Sequence, residues 1–338
     1  MSKVMAIVFH QHGAPAEVAH FAATEIAEPR ADEARVRLLA APINPADLNV
    51  IEGKYPIRPA LPGVPGVEGA GVVEEIGSTV VNVGVGDVVL LPHGYGTWRE
   101  AGVAKASELI VVPRGIAPEQ AAMMRINPAT ALRMLRDFTE LKAGDWVLQN
   151  AANSAVGRAV IRLAHASGWR TVNVVRRPEL IEELRAEGGD VVLTDGEELP
   201  ARIAAATGGA PLPLALNAVG GDSALHLAKA LAPGGTIVTF GAMSRQPLRI
   251  PNGLLIFKDL RWRGFWISQW YRHASPDATR AMFAELFDLT RQGILSSPVE
   301  RVYPLAEVAA ALAHAAQARR SGKILFGGDA WFSAKQNA

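Results

Sequence analysis

Apolar and polar positions follow two different rhythms along this chain. Residues 3 to about 115 carry short apolar runs punctuated by Gly and Pro, with few long helical periods; Val4 to Phe9, Ala34 to Ala41 and Gly69 to Val73 are the clearest strands. Gly84 to Pro92 reads as a turn followed by a strand at a β-barrel edge, and Leu109 to Pro113 closes this β-rich region. One segment breaks the rhythm. Pro45 to Gly53 predicts a short helix, with proline near its start and glycine just past its end, and the polar loop Lys54-Tyr55-Pro56 follows at once.

From Pro118 the pattern changes to helices alternating with strands, which predicts a parallel sheet covered on both faces. Glu119 to Phe138 reads as helix, interrupted at Asn127-Pro128. Strands are expected at Trp146 to Leu148, Thr171 to Val175, Asp190 to Leu193, Leu212 to Asn217, Gly234 to Gly241 and Leu260 to Phe265. Helices are expected at Val156 to Leu163, Pro178 to Glu187, Leu199 to Ala206, Ser223 to Leu231 and Pro276 to Gly293. The last segment, Ser297 to Pro304, a helix over Ala306 to Ala318, and Lys323 to Phe326, returns to short strands that rejoin the first region.

The stretch from Gly144 to Leu163 organises the second rhythm: an apolar strand, a turn of small polar residues, then a helix with one apolar face. A helix N-terminus gathers unpaired N–H groups and partial positive charge, so a pyrophosphate placed there gains hydrogen bonds and favourable electrostatics. The dinucleotide fingerprint asks for glycine at three places; the chain offers Ala152, Ser154 and Gly157, and meets only the third. On that match alone, an ordinary strand-turn-helix with a packed glycine reads equally well.

Composition narrows the field. At 338 residues and 49% hydrophobic content, the chain suits two domains of roughly 150 residues with a core each. A net charge of +1 with both signs mixed along the length leaves no footprint for nucleic acid or an anionic membrane. No apolar run approaches the ~20 residues of a bilayer span. Met1-Ser2-Lys3 leads straight into a strand without room for a signal peptide, so a soluble, cytoplasmic protein is expected. There is no cysteine, which removes disulfides, thiolate nucleophiles, Cys-ligated zinc and iron–sulfur clusters.

The end of the second strand of such a sheet separates the two nicotinamide cofactors: an acidic residue there takes the ribose hydroxyls of NAD, a basic one favours the extra phosphate of NADP. Arg176 and Arg177 stand there. Their planar donor forks suit phosphate, although two solvated arginines capping a strand would look the same.

Several longer stretches carry a resemblance to a known family: Ile43 to Tyr55, Arg125 to Ala131, Gln149 to Gly157, Asn173 to Arg176, Leu255 to Leu260, and Arg263-Gly264-Phe265-Trp266. With them the chain resembles, over nearly its whole length, the medium-chain dehydrogenase/reductase superfamily, and within it looks most like the mitochondrial-type trans-2-enoyl thioester reductases. The resemblance implies an α/β fold, with a GroES-like β-rich catalytic domain over 1–118 and a Rossmann NADP-binding domain, a doubly wound parallel sheet, over 119–266. The segment 267–338 then returns to the catalytic domain. A homodimer is implied too, since the Leu260 to Phe265 strand would otherwise leave an open sheet edge.

The zinc alcohol dehydrogenases of the same superfamily need cysteine and histidine ligands. This chain has Asn44 where that family has its first cysteine and Gly66-Val67-Glu68 where it has Gly-His-Glu, so no metal site is expected. Without a metal to hold an alkoxide, alcohol oxidation loses its electrophile. Reduction of a double bond conjugated to a carbonyl needs less, because hydrogen-bond donors can stabilise the enolate formed after hydride reaches the β-carbon.

By the resemblance, Tyr55 would be the proton or hydrogen-bond donor on the enolate side; alone it would read as a loop tyrosine packing its ring. Asn127 would touch the nicotinamide end. Asn153, Ser154, Ala155, Val156 and Gly157 would hold the pyrophosphate, and Arg176 and Arg177 the phosphate of NADPH. Phe240, Gly241, Ala242 and Met243, then Phe265, Trp266 and Ile267, would line the cofactor, and Lys323 would reach it from the returning chain. Two departures bear on the phosphate contact: the family often carries an acidic residue between its two arginines, and tyrosine where Phe240 stands. The implied activity is NADPH-dependent reduction of trans-2-enoyl chains carried by coenzyme A or acyl carrier protein. A quinone or enone reductase of the same superfamily, and a cofactor-binding protein without catalysis, remain alternatives.

Overall fold

The computed structural model describes residues 1–317 and 319–336. The chain packs as two compact units. One comprises Met1–Ile126, Arg280–Arg291 and the chain from Ser296 onward; the other comprises Asn127–Thr279 and Gln292–Leu295. Beside the sequence borders at 118/119 and 266/267, the packing changes hands at 126/127 and 279/280, so the helix Pro276–Arg291 crosses the second border. Its stretch Arg280–Arg291 belongs with the first unit, where the buried Arg125 guanidinium lies 5.0 Å from the Phe283 ring centre.

The first unit is β-rich. Strands β1 (Ser2–Phe9) and β2 (Ala19–Ile26) pair antiparallel. A second sheet is built from β3 (Glu33–Pro42), β4 (Ala70–Ile76), β5 (Val88–Leu90), β6 (Ala101–Lys105) and β7 (Ile110–Val111). The late strands β14 (Val299–Pro304) and β15 (Lys323–Gly327) join it, in the order β14-β15-β3-β4-β5-β7, with β6 also pairing β3. The returning chain is therefore hydrogen-bonded into the middle of the first unit, Phe326 opposite Ala41. Its core closes around Ile7, Phe9, Leu38, Trp98 and Phe326, the last two rings meeting edge to face at 5.0 Å.

The second unit holds one parallel sheet of six strands: β8 (Trp146–Gln149), β9 (Arg170–Val175), β10 (Val191–Thr194), β11 (Leu214–Asn217), β12 (Thr236–Thr239) and β13 (Arg261–Gly264). Their order is β10-β9-β8-β11-β12-β13. The chain starts in the middle, winds outward one way and then the other, so the direction reverses between β8 and β11. Central strands β8 and β11 are buried at every position, as a sheet covered on both faces requires.

Most expected elements are present, and the differences have local causes. The expected interruption at Asn127-Pro128 falls earlier: one helix spans Pro118–Ala122, and Asn127 opens the next, Asn127–Asp137. Proline's missing N–H is harmless in a first turn, where it would have no intrahelical acceptor. Pro178 starts with a 3-10 turn before the α-helix Ile181–Ala186. The strand β5 is not at an edge but lies between β4 and β7. Strands β2 and β6 were not among the expected ones; β6 reads Ala-Gly-Val-Ala-Lys, a weak β sequence held in place by pairing with β3. Of the expected helix Ala306 to Ala318 the structure has Val308–Ala315 as α-helix, and Ala318 lies outside the described residues.

Candidate active site

In a parallel sheet every strand ends on the same side, and in the second unit four of the expected segments follow strand ends there. Asn153 to Gly157 follow β8, Arg176-Arg177 follow β9, Phe240 to Met243 follow β12, and Phe265 to Ile267 follow β13. Such a row, at the reversal of strand order, is where open parallel sheets bind ligands.

The turn after β8 is built for close approach. Ala151 has a left-handed φ of 49°, Ala152 N donates to Val174 O on β9, and Ser154 caps the helix Ala155–Ala166 by accepting from Gly157 N at 3.1 Å. A Cβ on Gly157 would lie 2.4 Å from the Ala152 carbonyl oxygen, which explains why the one glycine retained is the third. Asn153, Ser154, Ala155 and Val156 are half-buried. The N–H groups of Ala155 and Val156 sit in a first turn without intrahelical acceptors, as a pyrophosphate requires.

Beneath the turn lies a polar network that the sequence pattern did not disclose. Asn150 Nδ2 donates to Asn217 Oδ1 at 2.9 Å and Ser223 Oγ at 3.0 Å, while its Oδ1 accepts from Ala218 N at 2.7 Å. Gln149 Nε2 donates to Gly157 O and to Asn173 Oδ1. These amides pin the ends of β8, β9 and β11 together. Their only sequence signal is polar residues placed at the ends of apolar strands.

At the end of β9, Arg176 is exposed and Arg177 half-buried, 3.8 Å from the Glu179 carboxylate. After β12, Phe240 N donates to Asn217 O and Met243 N to Ala218 O, and a side chain at Gly241 would approach Ala218 O at 2.9 Å. After β13, the Phe265 ring meets Phe138 edge to face at 5.8 Å, and Arg272 covers the Trp266 ring at 5.0 Å. Asn127, at the head of its helix, is buried, and its Nδ2 has no hydrogen-bond partner. A buried, unsatisfied amide donor is costly unless something accepts from it, and a nicotinamide carboxamide is such an acceptor. The glycine cradle and this orphaned donor fit a dinucleotide.

Tyr55 and Lys323 belong to the first unit. The helix Pro45–Ile51 ends at Gly53, whose φ is 71°; Gly53 N returns to Val50 O and Lys54 N to Asn49 O. That left-handed ending turns the chain sharply and presents Tyr55, half-buried, immediately afterwards.

At the other end of this helix is a buried charged cluster. Asp47 accepts from Asn44 N at 2.8 Å and Val67 N at 2.9 Å. Glu68 accepts from Asn44 Nδ2 and from Ile126 N, each at 2.9 Å. The Lys323 ammonium donates to Asn44 Oδ1. Asn44, Asp47 and Glu68 are all at most 2% exposed. Burial pushes the Asp47 carboxyl up to about 7 against the backbone donors of Asn44, Val67 and Gly66 and the charge of Lys323, and moves the Glu68 carboxyl in the same direction. Burial likewise lowers Lys323, which the two carboxylates oppose. Asp47 and Glu68 are absent from the residues expected at the site. The Asn44-x-x-Asp47 spacing of a capping box was a visible clue to the first.

Among the described residues, no three His, Cys, Asp or Glu side chains gather as metal ligands, and no helix is long and apolar enough to cross a membrane.

A family model for the alcohol dehydrogenase GroES-like domain matches residues 30–114, and one described as zinc-binding dehydrogenase matches residues 155–286. The chain is 45% identical over 317 residues to the mitochondrial enoyl-[acyl-carrier-protein] reductase of Rattus norvegicus, spanning 92% of this chain and 85% of that protein. Among solved structures it is similar to a putative NADPH:quinone reductase from Bacillus thuringiensis, with a TM-score of 0.91 and 30% identity over 97% of this chain and 100% of that one. It is also similar to Etr1p, a mitochondrial 2-enoyl thioester reductase from Candida tropicalis solved with NADP and crotonyl-CoA, at a TM-score of 0.87 and 28% identity over 97% and 100% of the two chains.

Proposed function

The chain belongs to the medium-chain dehydrogenase/reductase superfamily, in the family of the enoyl-[acyl-carrier-protein] reductases, and we propose that it reduces the double bond of trans-2-enoyl thioesters with NADPH. The observation that carries this reading is that the likeness to an enoyl reductase spans 92% of the chain, and so takes in both units.

Asn153 to Gly157 would hold the pyrophosphate of NADPH, Arg176 and Arg177 its extra phosphate, and Asn127 its nicotinamide amide. The cofactor would supply the hydride for the β-carbon. Phe240 to Met243 and Phe265 to Ile267 line it, and Lys323 has ammonium protons beyond the one given to Asn44. Tyr55 does the chain's own chemistry. Its hydroxyl donates to the enolate side of the thioester, stabilising the charge that collects on oxygen or delivering the proton to the α-carbon.

NADPH oxidation measured side by side with crotonyl-CoA, longer enoyl-CoAs, an enoyl-acyl carrier protein and simple quinones tests the reading. Turnover of the thioesters is expected. Brisk quinone reduction without it would transfer the chain to the quinone reductase reading, which the Bacillus thuringiensis structure supports. NADPH binding with no turnover at all would favour the non-catalytic one.

Among the described residues strand β13 pairs only with β12 and ends the sheet, and the apolar side chains of Ile256 and Phe257 just before it are 70% and 87% exposed. A homodimer that covers this edge is part of the proposal. A monomer mass by light scattering at micromolar concentration would refute it. Cytoplasmic placement is likewise proposed, against the mitochondrial name of the rat relative; fractionation of the source cells decides it.

A further inference from the structure

Asp47 caps its helix, whereas the buried acid Glu68 has no chemical task in the reduction. Glu68 is wholly inaccessible, yet both of its carboxylate oxygens are engaged: one accepts from Asn44 Nδ2, the other from the backbone N–H of Ile126. Its own carbonyl accepts from the Thr97 hydroxyl at 2.8 Å, so its backbone is tied as well. Stability does not explain it. A buried ion cluster of this kind is often replaced by apolar side chains at no loss, because desolvation consumes the Coulombic gain. Above about pH 7, where both carboxyls ionise, two carboxylates facing one ammonium leave the cluster with a surplus negative charge, so removing one acid improves its balance there.

What the cluster does supply is position. Through Asn44 it holds the Lys323 ammonium, which arrives from 279 residues away in sequence, and the head of the helix that leads to Tyr55. Through Ile126 it holds the residue directly before Asn127, whose buried amide donor is left unsatisfied. Three segments remote in sequence are thereby fixed against one carboxylate.

We infer that Glu68 is a positioning residue for the reduction, setting Lys323 through Asn44 and Asn127 through the Ile126 N–H. The inference rests on the enoyl reductase reading for its turnover readout but not for its binding readout. The ionisable groups that face Glu68 are Asp47 and Lys323, with Arg320 acting on Lys323.

The test is Glu68→Gln, which keeps the shape, removes the charge and can accept only one of the two hydrogen bonds. The midpoint of thermal unfolding at pH 8 is expected to be unchanged or higher, since Asp47 still balances Lys323. The NADPH dissociation constant, read by fluorescence titration without substrate, is expected to rise about tenfold. Turnover should fall about tenfold or more, while the KM for crotonyl-CoA stays within about twofold. Glu68→Asp, which keeps the charge but is one methylene too short to reach both donors, should reproduce the loss. A folded Gln or Asp variant with normal NADPH affinity and turnover overturns the inference. So does loss of the fold in both variants, which would make the carboxylate a structural one. If the wild type fails on enoyl thioesters, the function is wrong, and the NADPH titration alone still decides the role of Glu68.

Discussion

The two groups of candidate residues, one in each unit, are built from opposite materials. In the second unit, the turn from Ala151 to Gly157 uses backbone N–H groups, a serine cap and a glycine cradle, all within a few residues of one another and without a buried charge. In the first unit, the cluster uses the buried Asn44 amide, the buried carboxyls of Asp47 and Glu68 and the half-buried ammonium of Lys323, brought together from three separate segments. Backbone dipoles are already oriented by the helix, so they bind an anion with little desolvation cost. Buried charges hold position only as long as their partners and protonation states persist, which makes the first unit the pH-sensitive half.

That contrast can be broken most directly with pH. The Asp47 carboxyl has a folded pKa of about 7 against an ordinary 3.8. A raised acid favours folding fully below its unfolded pKa, and the contribution is lost as pH climbs from 3.8 through 7. At about 1.4 kcal/mol per unit, the change amounts to a few kcal/mol. The stability of the wild type minus that of Asp47→Asn, from urea unfolding at successive pH values, should therefore decline across this window. A flat difference would show that Asp47 holds no proton when folded, and the contrast between the two halves would lose its basis.

Next in size is Tyr55→Phe. The ring remains, so folding and NADPH binding should survive. Loss of one positioned acid contributes ~100-fold or more to turnover, and the low end is expected because water can substitute. Near-normal turnover, with the chemical step shown to limit the rate, would return Tyr55 to a packing role.

On the nucleotide side, replacing Arg176 and Arg177 with alanine should raise the KM for NADPH by about ten- to a hundredfold, the worth of one or two charge-assisted hydrogen bonds. The KM for NADH should hardly move, because only NADPH offers a phosphate there. An equal loss for both cofactors would show that the pair is structural. The smallest effect expected is none: prolonged dialysis against a chelator should leave activity unchanged, and a loss restored by zinc would contradict the reading of Asn44 and Val67 as replacements for metal ligands.

What the sequence determined by itself was local. Hydrophobic rhythm marked the strands of the parallel sheet to within a residue or two, because the central strands, buried on both faces, are apolar up to the amides Gln149 and Asn217 at their ends. The strand, turn and capped helix from Gly144 to Leu163 were legible because the cap and the glycine lie within one short stretch. Tyr55 was visible only through family resemblance, since nothing in its neighbourhood distinguishes a donor from a loop tyrosine. Tertiary structure alone decided the rest. Sequence showed Asp47 and Glu68 as ordinary charges and Lys323 only as a cofactor contact implied by resemblance, and the pairing of β15 with β3 is what carries Lys323 to Asn44. Weak strands such as β6 exist because a neighbour offers its hydrogen bonds. Spacing along a chain encodes what one helix or strand will bury, whereas the meeting of charges 279 residues apart depends on the path of the whole fold.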